Sequence, residues 1–405
     1  MFFTVFKETA KKIVRNKKNR LIVILCLLAV FLYALFYLPS YNHPASIDTE
    51  QLILETESEY GMKESRLSQG DIAINSFTGV DTYSLAKWNY EALFEYRDAV
   101  DKGDFNRLME VTAAWGLPEF AAGELNDYLD ETIGGDIPSK DYMRNIYTQH
   151  IEEVAALEVP TPHIFNERTG IQQVYKFFLN YGPLIILFVT IFVVSDVLVS
   201  DRHHRTIKAG QPIGWRRYVF YQSLSAYIIL LVGISALLAV FFMVTGLLYG
   251  FGDGSMSVPR YSYEEGYRGE AFNFTIVPVV DFIVQSLVFS AVLIYFFIRV
   301  NAFLSLIFRH DVVVMIISFL MIAFNRIYSG GAENIILGIP SHYFPQNYFE
   351  FGDVLGGRLN FLNLSDAFTF MQGMIVTFAA IVVLEIILWA VQSTVTRQKF
   401  ERGSA

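Results

Sequence analysis

Residues 200–218 read SDRHHRTIKAGQPIGWRRY. The stretch is polar and basic, yet it lies between two runs apolar enough to cross a bilayer. A segment of that composition does not sit in hydrocarbon, where each charged side chain costs roughly 2.5–3.5 kcal/mol on insertion scales. It marks a return to water between two membrane helices, and the rest of the chain is read outward from it.

The chain has 405 residues, 53% of them hydrophobic and 16% aromatic. Its mean hydropathy of +0.37 is high for a soluble domain. The excess lies in six runs, read as spans at 21–38, 177–199, 219–250, 281–308, 311–326 and 369–392. A bilayer crossing takes about 20 helical residues. The uncharged part of the fifth, Val312–Phe324, is short and must borrow neighbours or be shielded by protein. The 219–250 run is over-long, so its first turns belong at the interface. The first run exceeds a secretory h-region, typically about 7–15 residues, and no small-x-small site follows it, which reads as an anchor rather than a cleaved leader. The single cysteine, Cys26, excludes a disulfide framework.

Charge gives the orientation. Lys7, Lys11, Lys12, Arg15, Lys17, Lys18 and Arg20 precede the first span. Arg202, Arg205, Lys208, Arg216 and Arg217 fall in the loop after the second, Arg309 follows the fourth, and Arg397, Lys399 and Arg402 follow the sixth. The positive-inside rule puts all four clusters in the cytoplasm. The chain therefore reads as an all-α polytopic membrane protein with six transmembrane helices and cytoplasmic N- and C-termini, in the cell membrane and by type a bacterial cytoplasmic one. Residues 1–20 pattern as an amphipathic cytoplasmic helix, with Phe2, Phe3, Phe6, Ala10, Ile13 and Val14 at helical spacing. Residues 393–405 form a cytoplasmic tail.

The opposite face is acidic. Residues 41–176 hold 25 Asp and Glu against 10 Lys and Arg, so the net charge of −9 belongs to one side of the chain. No nucleic-acid partner follows from it. The segment is too long for an unstructured loop, and its patterns are helical. Asp48 with Gln51 three residues on resembles a capping box. Residues 82–100 place Leu85, Trp88, Ala92, Leu93 and Tyr96 on one face; Asp141–Leu157 places Met143, Ile146, Tyr147, Ile151 and Val154 on one face. A mainly α-helical extracytoplasmic domain is expected after the first span. Residues 251–280 form an outer loop. The stretch 327–368, broken by Gly330, Gly331, Gly338, Pro340, Pro345, Gly356 and Gly357, reads as short interfacial or re-entrant helices, tolerated at membrane depth only when buried in protein or lining a cavity.

Ionisable residues within the runs are few. Glu385 in the sixth span and Arg299 after the apolar part of the fourth are candidates for an interhelical ion pair; alternatively Arg299 snorkels and Glu385 faces a cavity. Asp196 and Asp281 read as end-of-helix residues. The aromatics Tyr343, Phe344, Tyr348 and Phe349 are candidates for a substrate path. His203 and His204 have no partner at metal-ligand spacing, and no metal site is read.

Pro212 can start a helix, Ile213 and the aromatics after it supply an apolar face, and Arg216 and Arg217 stay in water. A short helix along the inner surface, a handle for a soluble partner, is expected over 200–218. Here the residues resemble those of ABC-2-type transporter permeases. That family carries, between its second and third spans, an acidic residue, Gly-Thr-Ile/Leu, a gap, Pro-Ile/Val, Ser/Gly, Arg/Lys and Tyr. This chain has Asp201, Arg205-Thr206-Ile207, Pro212-Ile213-Gly214 and Arg217-Tyr218, with Arg205 in place of the Gly and His203 in place of a usual Glu. Leu304–Asp311 (LSLIFRHD) is similar to the family's inner end between spans four and five. The large outer domain after the first span looks like one branch of the family.

The resemblance implies an exporter subunit that is not itself an enzyme and binds no cofactor. The chain has no phosphate-cradling G-x-x-x-x-G-K-[ST]. ATP and Mg would be used by a separate ABC ATPase subunit docking on residues 200–218, with Asp201, Thr206, Ile207, Pro212, Ile213, Arg216 and Arg217 in contact. A second permease, a copy of this chain or a paired paralogue, would complete the unit within the lipid bilayer. The aromatic outer stretch suits an amphipathic cargo such as a peptide, lipid or hydrophobic antibiotic. The alternative is a non-transporting membrane sensor or scaffold whose acidic outer domain binds a ligand.

Overall fold

The structure, a computed structural model, describes the chain except residues 45, 71–73, 75–78, 134–136, 158, 203–212, 263–273, 329–334, 337, 396–399 and 401–405. The chain is mostly helical and divides into two units. One comprises Met1–Tyr37, Gly170–Ser255 and Arg260–Ala405; the other, inserted, comprises Leu38–Thr169 with Met256–Pro259.

Among its described residues the inserted unit has five long helices, Thr49–Gln69, Thr82–Asp101, Phe105–Trp115, Glu119–Ile133 and Ile137–Ala155, and a short one, Pro162–Phe165. Three of the long helices start on an aspartate. Asp48 accepts from the N–H groups of Glu50 and Gln51, Asp81 from Ser84 and Asp104 from Arg107, satisfying donors that the first turn leaves open. The bond from Ser84 holds the Asp81 carboxyl below its ordinary range. Met109, Leu125, Leu129, Tyr147, Ile151, Val154 and Phe165 form one apolar cluster, and Leu52, Tyr96 and Val111 a second. The Tyr96 hydroxyl donates to the Gly116 carbonyl just past a helix end, and burial pushes its pKa up to about 12. Trp88 departs from the expected face. It is 60% exposed and lies against Trp115, while Ala86, Tyr96 and Ala99 carry the buried stripe.

The other unit holds five helices long and apolar enough to cross a membrane: Lys17–Ser40, which runs into the inserted unit, then Gly182–Asp201, Trp215–Tyr249, Val279–Ile307 and Phe370–Thr394. The expected fifth span is an 18-residue helix, Asp311–Tyr328, whose apolar part is shorter than the others. Five qualifying spans, among the described residues, therefore stand where six are expected; the shortfall is the brief apolar run already visible at Val312–Phe324.

The 177–199 run is not one helix. It breaks at Asn180 and Tyr181 between the helices Gly170–Leu179 and Gly182–Val194. Pro183 lies in the first turn of the second piece, where its missing N–H costs nothing. A Cβ on Gly182 would collide with the Phe177 carbonyl, so the chain passes through this corner only as glycine. The Gly170 N–H donates to the Gly250 carbonyl at 2.9 Å, tying the first piece to the end of the Trp215–Tyr249 helix.

At roughly 1.5 Å per residue, the 35 residues of Trp215–Tyr249 reach about 52 Å, well beyond a hydrocarbon core of about 30 Å. Its start at Trp215 makes Trp215–Tyr218 the first turn of this helix rather than a separate one. The Phe2–Arg15 helix lays Val5, Thr9 and Ile13 against it, with Phe2 and Tyr221 in edge contact at 5.7 Å. The 341–363 stretch folds as short turns and two brief helices, Phe351–Leu355 and Arg358–Asn363, with Tyr348, Phe349 and Phe351 buried.

Gly373 fixes how closely the last helix approaches that stretch. A Cβ there would come within 2.7 Å of the Phe289 ring and also meet Tyr348. Small residues are what let membrane helices approach. Gly373→Val is therefore expected to cost about 1–3 kcal/mol through overpacking. Gly233→Ala, where a Cβ meets nothing within 4 Å, is expected to leave the thermal midpoint of the detergent-solubilised chain unchanged or raised.

Candidate functional site

The polar residues of the helix-bundle unit gather at the root of the 200–218 loop. The Gly182–Val194 helix gives way to turns and a single 3-10 turn over Val199–Arg202. This brings Asp201 back against the Trp215–Tyr249 helix. Asp201 is 4% exposed. Tyr218 donates its hydroxyl to Asp201 Oδ2 at 2.6 Å, and Gln222 Nε2 donates to the same oxygen at 3.1 Å. Tyr218 and Gln222 are four residues apart and so share a helix face. Lys12, from the N-terminal helix, pairs with Oδ1. A buried carboxylate is tolerable only when its charge and lone pairs are met in this way.

A second carboxylate is held beside it. Asn16 donates to Asp196, and Lys18 Nζ lies 3.7 Å from Asp196 and 3.1 Å from the Ser195 hydroxyl. Asn16 also ends one helix and caps the next, accepting from the Lys18 N–H. Asp196 is thus a tether for the N-terminal segment, beyond the end-of-helix residue expected.

A second polar group lies on the same long helix. Ser223, adjacent to Gln222 in sequence, accepts from Arg299 Nη1 at 2.9 Å. Arg299 Nη2 meets Glu385 Oε2 at 2.7 Å while Nε meets Oε1, a two-pronged pair between the Val279–Ile307 and Phe370–Thr394 helices. The Arg299 residue is 2% exposed. The Tyr295 hydroxyl also donates to Glu385, at 3.1 Å. A cavity of about 10 Å³ lies alongside, lined by Gln222, Ser223, Asn301 and Ser305 among apolar neighbours. That is at the lower limit for a single water.

The remaining residues expected in the loop divide. Thr206, Ile207 and Pro212 lie outside the described residues. Ile213 is half-buried and Arg217 exposed. Arg216 stacks its guanidinium over the Trp389 ring at 4.7 Å, and Trp215 packs on Phe400 at 5.1 Å. Asp201 faces inward, its carboxylate held by Lys12, Tyr218 and Gln222.

An apolar hollow of about 340 Å³ lies between Phe296, Ile317, Leu320, Met321, Pro345, Gln346 and Phe349. This is within the usual size range for a small-ligand site. Of the expected substrate-path aromatics, Phe349 lines it. Tyr348 is fully buried, with its hydroxyl donated to the His342 carbonyl at 2.8 Å, while Phe344 is half-buried and Tyr343 exposed. Finally, the inserted unit gathers His43, His150 and Glu167, although the sequence spacing shows no metal-ligand pattern.

Lys12, Lys18, Gln222, Ser223 and Tyr295 are site residues that the sequence does not single out, and Tyr218 stands in it only as part of the loop motif. The lysines read equally well as topology signals, and hydroxyls and amides within apolar runs carry no signal of which way they face. Comparison with known protein families, curated proteins and solved structures finds no match.

Removing Arg299 strands Glu385, whose side chain is about one-third exposed. Arg299→Leu is therefore expected to lose about 1–3 kcal/mol of stability, less than a fully buried pair would. The double variant Arg299→Leu, Glu385→Leu is expected to recover at least half of that loss, read as the thermal midpoint in one detergent. A double variant no better than Arg299→Leu would show that the pair does not carry the effect.

Proposed function

We propose that this chain is the membrane subunit of an ATP-driven exporter of the ABC-2 type, worked by a separate ATPase that docks on the 200–218 loop. The observation that carries the reading is that one helix holds two polar groups side by side: Tyr218 and Gln222 bond Asp201 at the root of the loop, and the next residue, Ser223, accepts from Arg299, which pairs with Glu385. The Trp215–Tyr249 helix joins the two groups through its backbone, so a push on the loop that moves this helix also acts on two further apolar helices. The Phe2–Arg15 helix, fastened to the same carboxylate through Lys12, moves with it.

In this reading Asp311–Tyr328 also crosses the membrane, as the fifth of six spans. It is about 27 Å long at 1.5 Å per residue, close to the core thickness, and it packs against the Val279–Ile307 and Gly182–Val194 helices. Both termini and the 200–218 loop are cytoplasmic, and the inserted unit is extracytoplasmic. The membrane is the cell membrane of a bacterium. The working unit pairs this chain with a second permease and two ATPases, which use the ATP and Mg. The hollow beside Phe349 suits an amphipathic cargo that enters from the bilayer, its apolar part against Phe296 and Leu320.

The test is to tag the C-terminus, extract the chain from its native membrane in mild detergent and identify stoichiometric partners by mass spectrometry. A nucleotide-binding subunit is expected to co-purify, and to be lost when the exposed Arg217 and half-buried Ile213 are both changed to Glu. Recovery of the folded chain without an ATPase would sink the exporter reading.

A further inference from the structure

We propose that His43, His150 and Glu167 form a zinc site with three protein ligands and one position left for water. One ligand atom from each of the three lies within 4.8 Å of the other two. His43 Nε2 is 3.9 Å from Glu167 Oε2. Two imidazoles and a carboxylate are borderline donors that suit Zn²⁺, with bonds of about 2.0–2.2 Å. Tetrahedral bonds of that length put ligand atoms about 3.4 Å apart, so the side chains close by roughly 1 Å around the ion.

The surroundings fix each ligand from behind. His150 Nε2 lies 2.9 Å from the Phe165 carbonyl. A nitrogen facing a carbonyl carries the proton, which leaves Nδ1 with its lone pair for the metal. A metal-ligating histidine is ordinarily held by such a bond to its other nitrogen. His43 is 1% exposed, its ring 4.8 Å from that of His150 and packed between Tyr147 and Phe165. Its backbone N–H donates to the Asn166 side chain at 2.7 Å. Glu167 follows directly, with φ at +51°. Apolar packing of this kind lowers the local dielectric and strengthens the attraction between carboxylate and cation.

The three ligands come from three separate parts of the chain that hydrogen bonds already bring together, the His43 N–H to the Asn166 side chain and His150 to the Phe165 carbonyl. His43 lies near the start of the inserted unit, His150 on the Ile137–Ala155 helix and Glu167 near the unit's end. Arg168 already ties the end to the start, donating to the Tyr41 and Pro39 carbonyls at 3.1 Å. Zinc adds a bond from the helix to that clasp. The site concerns the inserted unit alone and holds whether or not the chain is an exporter.

The experiment uses the full chain in detergent, stripped with chelator and titrated with Zn²⁺ against a chromophoric competitor. One tightly bound zinc per chain is expected. Glu167→Gln and His43→Gln are each expected to weaken it at least tenfold with helicity retained. His203→Ala with His204→Ala is expected to leave it unchanged. Should either ligand variant fail to fold, X-ray absorption at the zinc edge of the native chain decides, with two imidazoles expected in the first shell. No tight zinc, a tight zinc lost with His203 and His204, or a shell without imidazole overturns the site.

Discussion

Arg299 stands among apolar helices with 2% of its surface open, and its guanidinium cannot shed its charge there. Its direct polar neighbours answer to that. Glu385 must come from the last helix at the matching height, because only a carboxylate meets two guanidinium N–H groups at once. Ser223 takes a further N–H, which fixes the rotation of the long helix. Once that face is set, Gln222 and Tyr218 are carried round to Asp201, one residue and one turn away. A single buried charge thus sets the rotational register of three helices that an all-apolar surface would leave free to slip.

The same chain of constraints draws the N-terminal helix into the bundle. Its apolar stripe of Val5 and Ile13 would bury against any greasy surface, and the amphipathic pattern alone leaves a membrane interface equally satisfactory. Lys12 reaching Asp201, and Asn16 and Lys18 reaching Asp196, give it a location. These bonds close on a segment of turns between the Gly182–Val194 helix and the loop. Under the export reading, the place where force enters is held by side chains from three parts of the chain rather than by the loop alone.

Much of this order was legible beforehand, for reasons of scale. A run such as Leu21–Leu38 announces a membrane helix because twenty apolar residues serve few other ends, and Asp48 announces a helix start because its oxygen reaches N–H groups two and three residues on. Arg299 and Glu385 were legible as a pair because charges are so scarce in those runs. What stayed hidden depends on rotation and on distance along the chain. The break at Asn180 is masked by continuous apolarity on both sides. Trp88 looked like core, yet an indole packs as well on an exposed neighbour, Trp115, as inside. The burial of Asp201 is not visible in the loop itself, because it is decided by Tyr218 and Gln222 beyond it. His43, His150 and Glu167 meet only after the inserted unit has folded, so no spacing records them.

The geometry also limits how motion passes through the bundle. The contacts from Asp201 to Glu385 are short and directional, and a hydrogen bond weakens steeply once its angle falls below about 120°. A rigid shift of the Trp215–Tyr249 helix along its axis by one turn, roughly 5.4 Å, would replace Ser223 opposite Arg299 by a residue of the adjacent turn. Four positions on is Tyr227, whose ring already lies 5.6 Å from Tyr295; its hydroxyl could take the guanidinium N–H in turn. Four positions back is Val219, which has no polar group, although Phe220 beside it already lies 5.9 Å from the guanidinium. Under the export reading, a push at the loop would have to break the Ser223 bond before the long helix could move along its axis.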